Sequence, residues 1–503
     1  METLSNVNDF IGSWLGFLPI ALAGIILIFI LRKKYWYNLY TIQFPIQYYF
    51  NGLAVVIVVI SILFLSLTPI FPWGGGDKYF LRAFNVMTFG VFGYGNEPTA
   101  LFPPGYSFII VPFIALLGVY PAAYFAPNLF LLIGSSIALR GILLKLGIKQ
   151  DLANLFATAV ILYPNRFLST LLPFSDIPFS LIYMIAFGFF LIYSQKPERI
   201  AYLIPAILCA GIAALTRSNG ILLFLPIVLG ILLQREVRLR TRLLLTALSM
   251  IVFCIVLGPW TIRNYFVFHK FVPVSTNGGV NLALANNPSN PLVKDSILDS
   301  VWESAPSWVT IRKAQWNEAQ QDSFFATQGL QYIREHPLIF FMQGFKKLFR
   351  AFIADSYSFG YLMTYTDALP LFTGEGSDHE QIRLITLYNK GLYKIYQFLF
   401  IINNVWYYLI LLFSIFCIFS LKKDAAHIRW PFITLYFFVC LFIFIIFGLS
   451  RYKEPLGTIQ ILAIALYYLR DKQSEASTTE ISRRSDCRRD PSGQVCRRFY
   501  DQG

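Results

Sequence analysis

The stretch PFITLYFFVCLFIFIIFGL, residues 431–449, contains no charged side chain from end to end. A chain can leave so long an apolar run in an aqueous surface only at great cost. About 20 such residues in a helix are what ~30 Å of hydrocarbon requires. Its flanks agree. Lys422, Lys423 and Arg429 precede it, and Arg451-Tyr452-Lys453-Glu454-Pro455 follows. Working outward, comparable runs fall at 14–31, 52–71, 106–120, 124–144, 153–172, 177–194, 200–215, 220–234, 243–260, 396–420 and 456–469. The expected fold is therefore an all-α polytopic membrane protein of about 12–13 transmembrane helices, with a small extracytoplasmic domain that is mostly helical or α/β.

Composition supports this reading. Hydrophobic residues make up 56% of the chain and charged residues 14%, with mean hydropathy +0.58. A soluble protein of 503 residues needs far more charge to cover its surface. The net charge of +14 does not point to nucleic acid, because the basic residues cluster in short loops between apolar runs. Those loops place Arg32-Lys33-Lys34, Lys145 with Lys149, Lys196 with Arg199, Arg235 through Arg242, Lys422-Lys423 and Arg470 inside the cell. Tyr35-Trp36-Tyr37 and Trp406-Tyr407-Tyr408 read as interfacial belts. Residues 1–15 lack the basic n-region of a cleavable signal, so the first run reads as a retained helix.

The expected organisation is an N-terminal transmembrane region, 1–260, whose first outer loop is 72–105. An extracytoplasmic segment follows at 261–395, then C-terminal helices at 396–470 and a disordered cytoplasmic tail at 471–503. The segment 261–395 holds a polar helical stretch near 310–335. Within 338–354, Phe, Leu and Ile mix with Lys346, Lys347 and Arg350, which predicts a helix lying in the interface. Three apolar runs lie between 105 and 173, although both ends of that stretch face outward. One of the three is expected not to cross.

The residues able to carry chemistry gather on the outer face. Asp77 follows Trp73-Gly74-Gly75-Gly76 directly after a span, where a carboxylate can meet a lipid-borne substrate and accept a proton. The plain alternative is a loop aspartate paired with Lys78 or Arg82. Asp176, in Ser175-Asp176-Ile177-Pro178, stands at a helix start, where acids also serve capping and dipole ends. Tyr79 and Glu97 are candidate substrate contacts on the first outer loop, Glu97 also reading as a plain loop acid. Arg82, Arg217, Arg263, Arg451 and Lys453 fall at outer edges, against the positive-inside bias. Arginine offers a rigid donor fork for phosphate oxygens. The alternative for each is snorkelling, or pairing with Asp77, Asp176 or Glu454. Six cysteines and four histidines are scattered, without metal-ligand spacing.

In order along the chain, Gly76-Asp77-Lys78-Tyr79, Phe102-Pro103-Pro104-Gly105-Tyr106, Leu215-Thr216-Arg217-Ser218-Asn219-Gly220, Pro259-Trp260-Thr261-Ile262-Arg263-Asn264-Tyr265, Pro273 through Gly279, Asn286-Asn287-Pro288, Arg334-Glu335-His336-Pro337 and Arg451 through Leu456 resemble the membrane-embedded glycosyltransferases of GT-C type. The resemblance is to the glycosyltransferase 39/83 group, related to dolichyl-phosphate-mannose protein mannosyltransferases and to the aminoarabinose transferase of lipid A. It covers residues 73–469. Many members carry two adjacent acids in the first loop, whereas Asp77 is followed here by Lys78.

What the resemblance implies is inverting transfer of a sugar from a polyprenyl-phosphate donor, with Asp77 as general base and Asp176 as a second acid. Arg217, Arg451 and Lys453 would hold the donor phosphate, with Arg82 and Arg263 as further candidates. The acceptor would be lipid, glycan or protein, and the place a bacterial inner membrane with the site facing the periplasm. The chemistry itself needs a base, cations for the phosphate and exclusion of water. No cofactor is expected. A divalent ion stays open on chemical grounds but has no signal in the sequence. Rival readings are a transporter or flippase of lipid-linked sugars, an O-antigen polymerase or ligase, and a non-catalytic scaffold.

Overall fold

The computed structural model describes residues 21–23, 25–26, 43–67, 77–120, 122–172, 174–287, 315–355, 393–421, 425–448 and 450–469. The expected run 14–31 falls almost wholly outside the described residues, as do the tail 471–503, Cys487, Cys496 and His379.

Apolar runs become helices because hydrocarbon cannot satisfy backbone polar groups. The N-terminal half comprises α1 (Ile46–Leu67), α2 (Asp77–Phe89), α3 (Gly105–Leu117), α4 (Ala122–Lys145), α5 (Gln150–Ile161), α6 (Pro164–Ser169), α7 (Asp176–Gln195), α8 (Leu203–Thr216), α9 (Gly220–Leu232) and α10 (Leu239–Phe268). Beyond them come α11 (Gly278–Ala285), α12 (Glu318–Glu335), α13 (Pro337–Phe352), α14 (Tyr393–Ser420), α15 (Ala426–Ile445), a 3-10 turn at Ser450–Lys453 and α16 at 454–469. Among the described residues, six helices are long and apolar enough to cross a membrane, within α1, α4, α7, α10, α14 and α15. The all-α polytopic membrane fold is thus the one observed.

The core is built around α7. Its apolar window is 83% buried, against 22% in α1 and 28% in α10, which are left to face lipid. Phe179, Tyr183, Phe187 and Phe190 of α7 are all buried. Phe187 meets Phe432 of α15 edge-on at 5.0 Å between ring centroids. Where helices touch closely, glycine permits it: a Cβ on Gly230 would come within 2.0 Å of Phe190.

Several expected runs take a different form. The run 153–172 is two helices, α5 and α6, broken at Tyr163, which is extended and followed by Pro164 at the first turn of α6. Proline disfavours the helical region for its predecessor, and here Tyr163 takes the extended conformation. The expected span 243–260 belongs to a longer helix that ends only at His269, in left-handed conformation. Arg263 therefore rides on α10 and not on a loop. The expected loop 72–105 contains α2 and a short antiparallel pair, β1 (Gly93–Tyr94) and β2 (Glu97–Pro98). The polar stretch near 310–335 contains α12. Its start is fixed by Asn317, whose side chain accepts from the Gln320 amide at 3.0 Å while Gln320 accepts from the Asn317 amide at 2.9 Å.

Candidate functional site at the outer helix ends

The segments placed outside by charge come together at one end of the bundle. Asp77 is the first residue of α2, and its side chain lies outside the described residues. Two residues on, the buried Tyr79 places its hydroxyl 3.1 Å from Ser175 Oγ, and its ring packs edge-on against Tyr106 at 5.2 Å. Ser175 immediately precedes Asp176, which opens α7. The start of α2 is thereby held beside the start of α7. Gly105, at the head of α3, is pressed against Thr216: a Cβ there would lie 2.7 Å from Thr216 Oγ1 and 2.9 Å from the Leu215 carbonyl.

Arg217 follows α8 in extended conformation and its guanidinium forms an ion pair with Asp176, with only 13% and 11% of the two side chains exposed. The same guanidinium lies 5.4 Å from the centre of the Tyr452 ring. Arg451 lies 5.4 Å from the same Tyr452 ring and 5.5 Å from Phe174. Two arginines from different chain segments thus lie near a single tyrosine ring, one of them paired with Asp176, next to the α2 terminus that bears Asp77.

A second set of charges, buried more deeply, adjoins the first. Arg166 of α6 pairs with Glu454 at 3.0 Å, with 4% and 9% side-chain exposure. Lys453 lies 3.8 Å from Asp355, donates to the carbonyls of Ala351 and Ala354 at 2.7 and 2.6 Å, and sits 3.8 Å from the Tyr407 ring centre. Asp355 also accepts from the Tyr163 hydroxyl. Burial pushes Lys453 down to about 8 and Asp355 up, each partly offset by attraction to the other. These side chains line a cavity of about 30 Å³ with Phe352, Tyr407 and Gln460. That volume holds roughly two water molecules.

The remaining candidates are occupied by the architecture. Arg82 is fully buried, donates to the Tyr94 hydroxyl at 2.7 Å and lies over the Tyr94 and Phe102 rings. Burial lowers its pKa, with the Tyr94 contacts opposing. Arg263 donates to the carbonyls of Thr99 and Phe92 at 2.9 and 3.0 Å, tying the first outer loop to α10. Glu97 is exposed at the β-turn, opposite Tyr94. Asp176, Arg217, Arg451, Lys453 and Tyr79 therefore share one region, while Arg82 and Glu97 belong to the segment 72–105 and Arg263 ties that segment to α10. For Arg217 and Asp176 the geometry is the pairing that the sequence offered as the plainer alternative.

Arg166 and Asp355 were missed by sequence reasoning. Arg166 was a charge inside an apolar run, which is itself a signal in a membrane protein. Asp355 had no such mark. Among the described residues no group of three or more His, Cys, Asp or Glu could hold a metal ion.

No family model and no curated protein matches the chain. Two solved structures of ArnT from Cupriavidus metallidurans match, in the apo state and bound to undecaprenyl phosphate. They are 14% and 15% identical, with TM-score 0.34 in each case. The match covers 83% of this chain and 74% or 75% of the other. Identity and score are too low for either to bear on function.

Proposed function

We propose that the chain is an inverting glycosyltransferase, moving a sugar from a polyprenyl-phosphate donor to a lipid, glycan or protein acceptor at the outer face of the membrane. The supporting observation is that Arg217, paired with Asp176, and Arg451 both lie near the Tyr452 ring, beside the α2 terminus that carries Asp77. A lipid phosphate is already a competent leaving group, so no general acid is required. Asp77 takes the proton of the acceptor hydroxyl or amine, the acceptor attacks the anomeric carbon on the face opposite the phosphate, and the C–O bond to the phosphate breaks with inversion. Arg217 and Arg451 stabilise the phosphate as its charge develops, in a region where neighbouring aromatic rings exclude water. Asp176 orients the acceptor or assists Asp77. Lys453, held by two carbonyls and Asp355, supports the turn that presents Arg451.

A flippase would spread ionisable side chains along a path through the spans. Here the buried pairs lie at helix ends and just beyond them, which favours surface chemistry. The test uses purified protein and a polyprenyl-phosphate sugar. Asp77→Asn is expected to lose turnover while still inserting and folding, and wild-type turnover in that variant would remove Asp77 as base. Charge removal at Arg217 or at Arg451 is expected to weaken donor binding. Unchanged affinity in both variants removes them from the phosphate site.

A further inference from the structure

Helix α13 is amphipathic in an inverted sense. Leu338, Ile339, Phe341, Met342, Phe345 and Phe349 are exposed, at 73%, 44%, 55%, 54%, 65% and 61%. The buried side carries the polar Gln343 and Lys347 together with the small Gly344 and Ala351. Water would not tolerate that outer face, and a soluble monomer rarely exposes so large a contiguous apolar patch.

The position of α13 is fixed by what its buried side touches. Gly344 lies directly beneath Phe444, where a Cβ would come within 2.3 Å of the ring. Phe340, Phe341 and Phe345 surround the same ring at 5.4, 5.9 and 5.5 Å. One turn on, Lys347 Nζ donates to the Ile445 carbonyl at 3.2 Å and to Asn286 Oδ1 at 3.3 Å, and its backbone presses on Gly448. Beyond that, the Ala351 and Ala354 carbonyls hold Lys453. Had α13 run alongside the span, its partners would have stepped back through 441 and 437. They start at the last turn of α15 and move past its end. By the charge of its flanks, that end of α15 is the outer one, so α13 lies at the level where hydrocarbon gives way to headgroups.

From this we infer that α13 is seated in the outer leaflet by its six exposed apolar side chains. The lipid surface, through Lys347 and the helix's last carbonyls, thereby fixes the turn 450–453 that carries Arg451 and Lys453. The partner is the acyl–headgroup boundary of a bilayer. The exposed Lys346 reaches from the flank of the same face to the headgroups, as interfacial lysines do. The inference stands on the packing of α13 alone and does not depend on the reaction proposed above.

The test places the photoreactive amino acid p-benzoylphenylalanine at position 345, 349 or 343 of the full chain. Each variant is reconstituted in vesicles of phosphatidylcholine and phosphatidylglycerol, irradiated and analysed by mass spectrometry. Lipid adducts are expected at 345 and 349 and none at 343, which faces the protein. Adducts at 345 and 349 that are only to protein, whether to a second copy or to another helix of the same chain, would overturn the inference. Because position 343 is buried and its variant is at risk of misfolding, Phe345→Ser provides an independent arm. It is expected to quicken hydrogen exchange of the 446–453 amides in vesicles, and an unchanged rate there also overturns the proposal.

Discussion

Lys453 is a cation whose structural contacts go beyond the phosphate role expected from its position in the sequence. Its position at an outer membrane edge suggested a phosphate ligand, yet its ammonium is engaged by two carbonyls, Asp355 and the face of Tyr407. Removing one member of a buried pair leaves the other charge without compensation. Lys453→Met should therefore lower stability by about 3–5 kcal/mol, and Asp355→Asn in the same chain should recover part of that loss. A thermal double-mutant cycle in detergent measures this, and additive losses would mean the two groups do not interact. Lys347 makes a different kind of test. Burial without a carboxylate in contact pushes it from the ordinary 10.5 down to about 8. The folded value lies below the unfolded one, so between those pH values the unfolded chain binds the extra proton and stability rises with pH. The gain is complete only above 10.5 and is absent below about 8. Over the full window the shift corresponds to something on the order of 3 kcal/mol. Comparing unfolding of wild type and Lys347→Met from pH 7.5 to 10.5 isolates it, because the variant should lack that slope while sharing every other titration.

At the scale of elements, two acids of α12 clasp the segment 261–395 together and tie it to the segment 72–105. Glu318 accepts from the Ala100 amide at 2.8 Å, from Thr276 Oγ1 at 3.1 Å and from the Thr99 hydroxyl. Asp322 accepts from the amides of Gly279 and Val280 at 2.7 and 3.1 Å, meeting the N-terminus of α11. The clasp depends on α11 and α12 approaching closely. A Cβ at Gly279 would fall 2.0 Å from the Asp322 carbonyl oxygen, which is backbone and cannot swing aside. Gly279→Ala should thus push the helices apart, cost about 1–3 kcal/mol and open the segment to limited proteolysis, with span helicity retained. An unchanged proteolytic pattern would show that the clasp is not closed by that contact. Little of this was visible in the sequence. The helices announced themselves through hydropathy, and the Pro164 break was legible once the rule for the preceding residue was applied. Glu318, by contrast, is one unremarkable acid in a polar stretch, and its partners Thr99 and Thr276 are far from it in sequence. Asp355 was illegible for the same reason. Hydropathy reports transfer to an apolar medium, and says nothing of which distant polar groups will meet there.

For the molecule as a whole, the open question from sequence was how three apolar runs between 105 and 173 can start and finish outside. Asn128 answers it through its contacts. Its Oδ1 accepts from the Tyr106 hydroxyl at 2.8 Å, and its Nδ2 donates to the carbonyls of Leu172 and Thr170 at 2.9 and 3.3 Å. The head of α3, the second turn of α4 and the end of the α5–α6 pair therefore share one level, the one that the charge pattern of the sequence expects to be outer. From Asn128, α4 descends to Lys145, and α5 and α6 return. The junction 117–122 then lies beyond Asn128 on the same side, so α3 is expected to begin and end on one face, which the charge pattern reads as the outer one. Its 13 residues span about 20 Å, short of the ~30 Å hydrocarbon core. On a cysteine-free background, Val119→Cys should react with a membrane-impermeant thiol reagent added to intact cells, and Gly147→Cys only after the cytoplasm is opened. Gly147 has φ +92, so Lys149→Cys serves as the unstrained second probe of the same loop. Labelling of Val119→Cys from the cytoplasmic side alone would make α3 a crossing helix. It would also invert every helix from α4 onward, moving Asp176, Arg217 and Arg451 to the face opposite the one on which the proposed donor is presented.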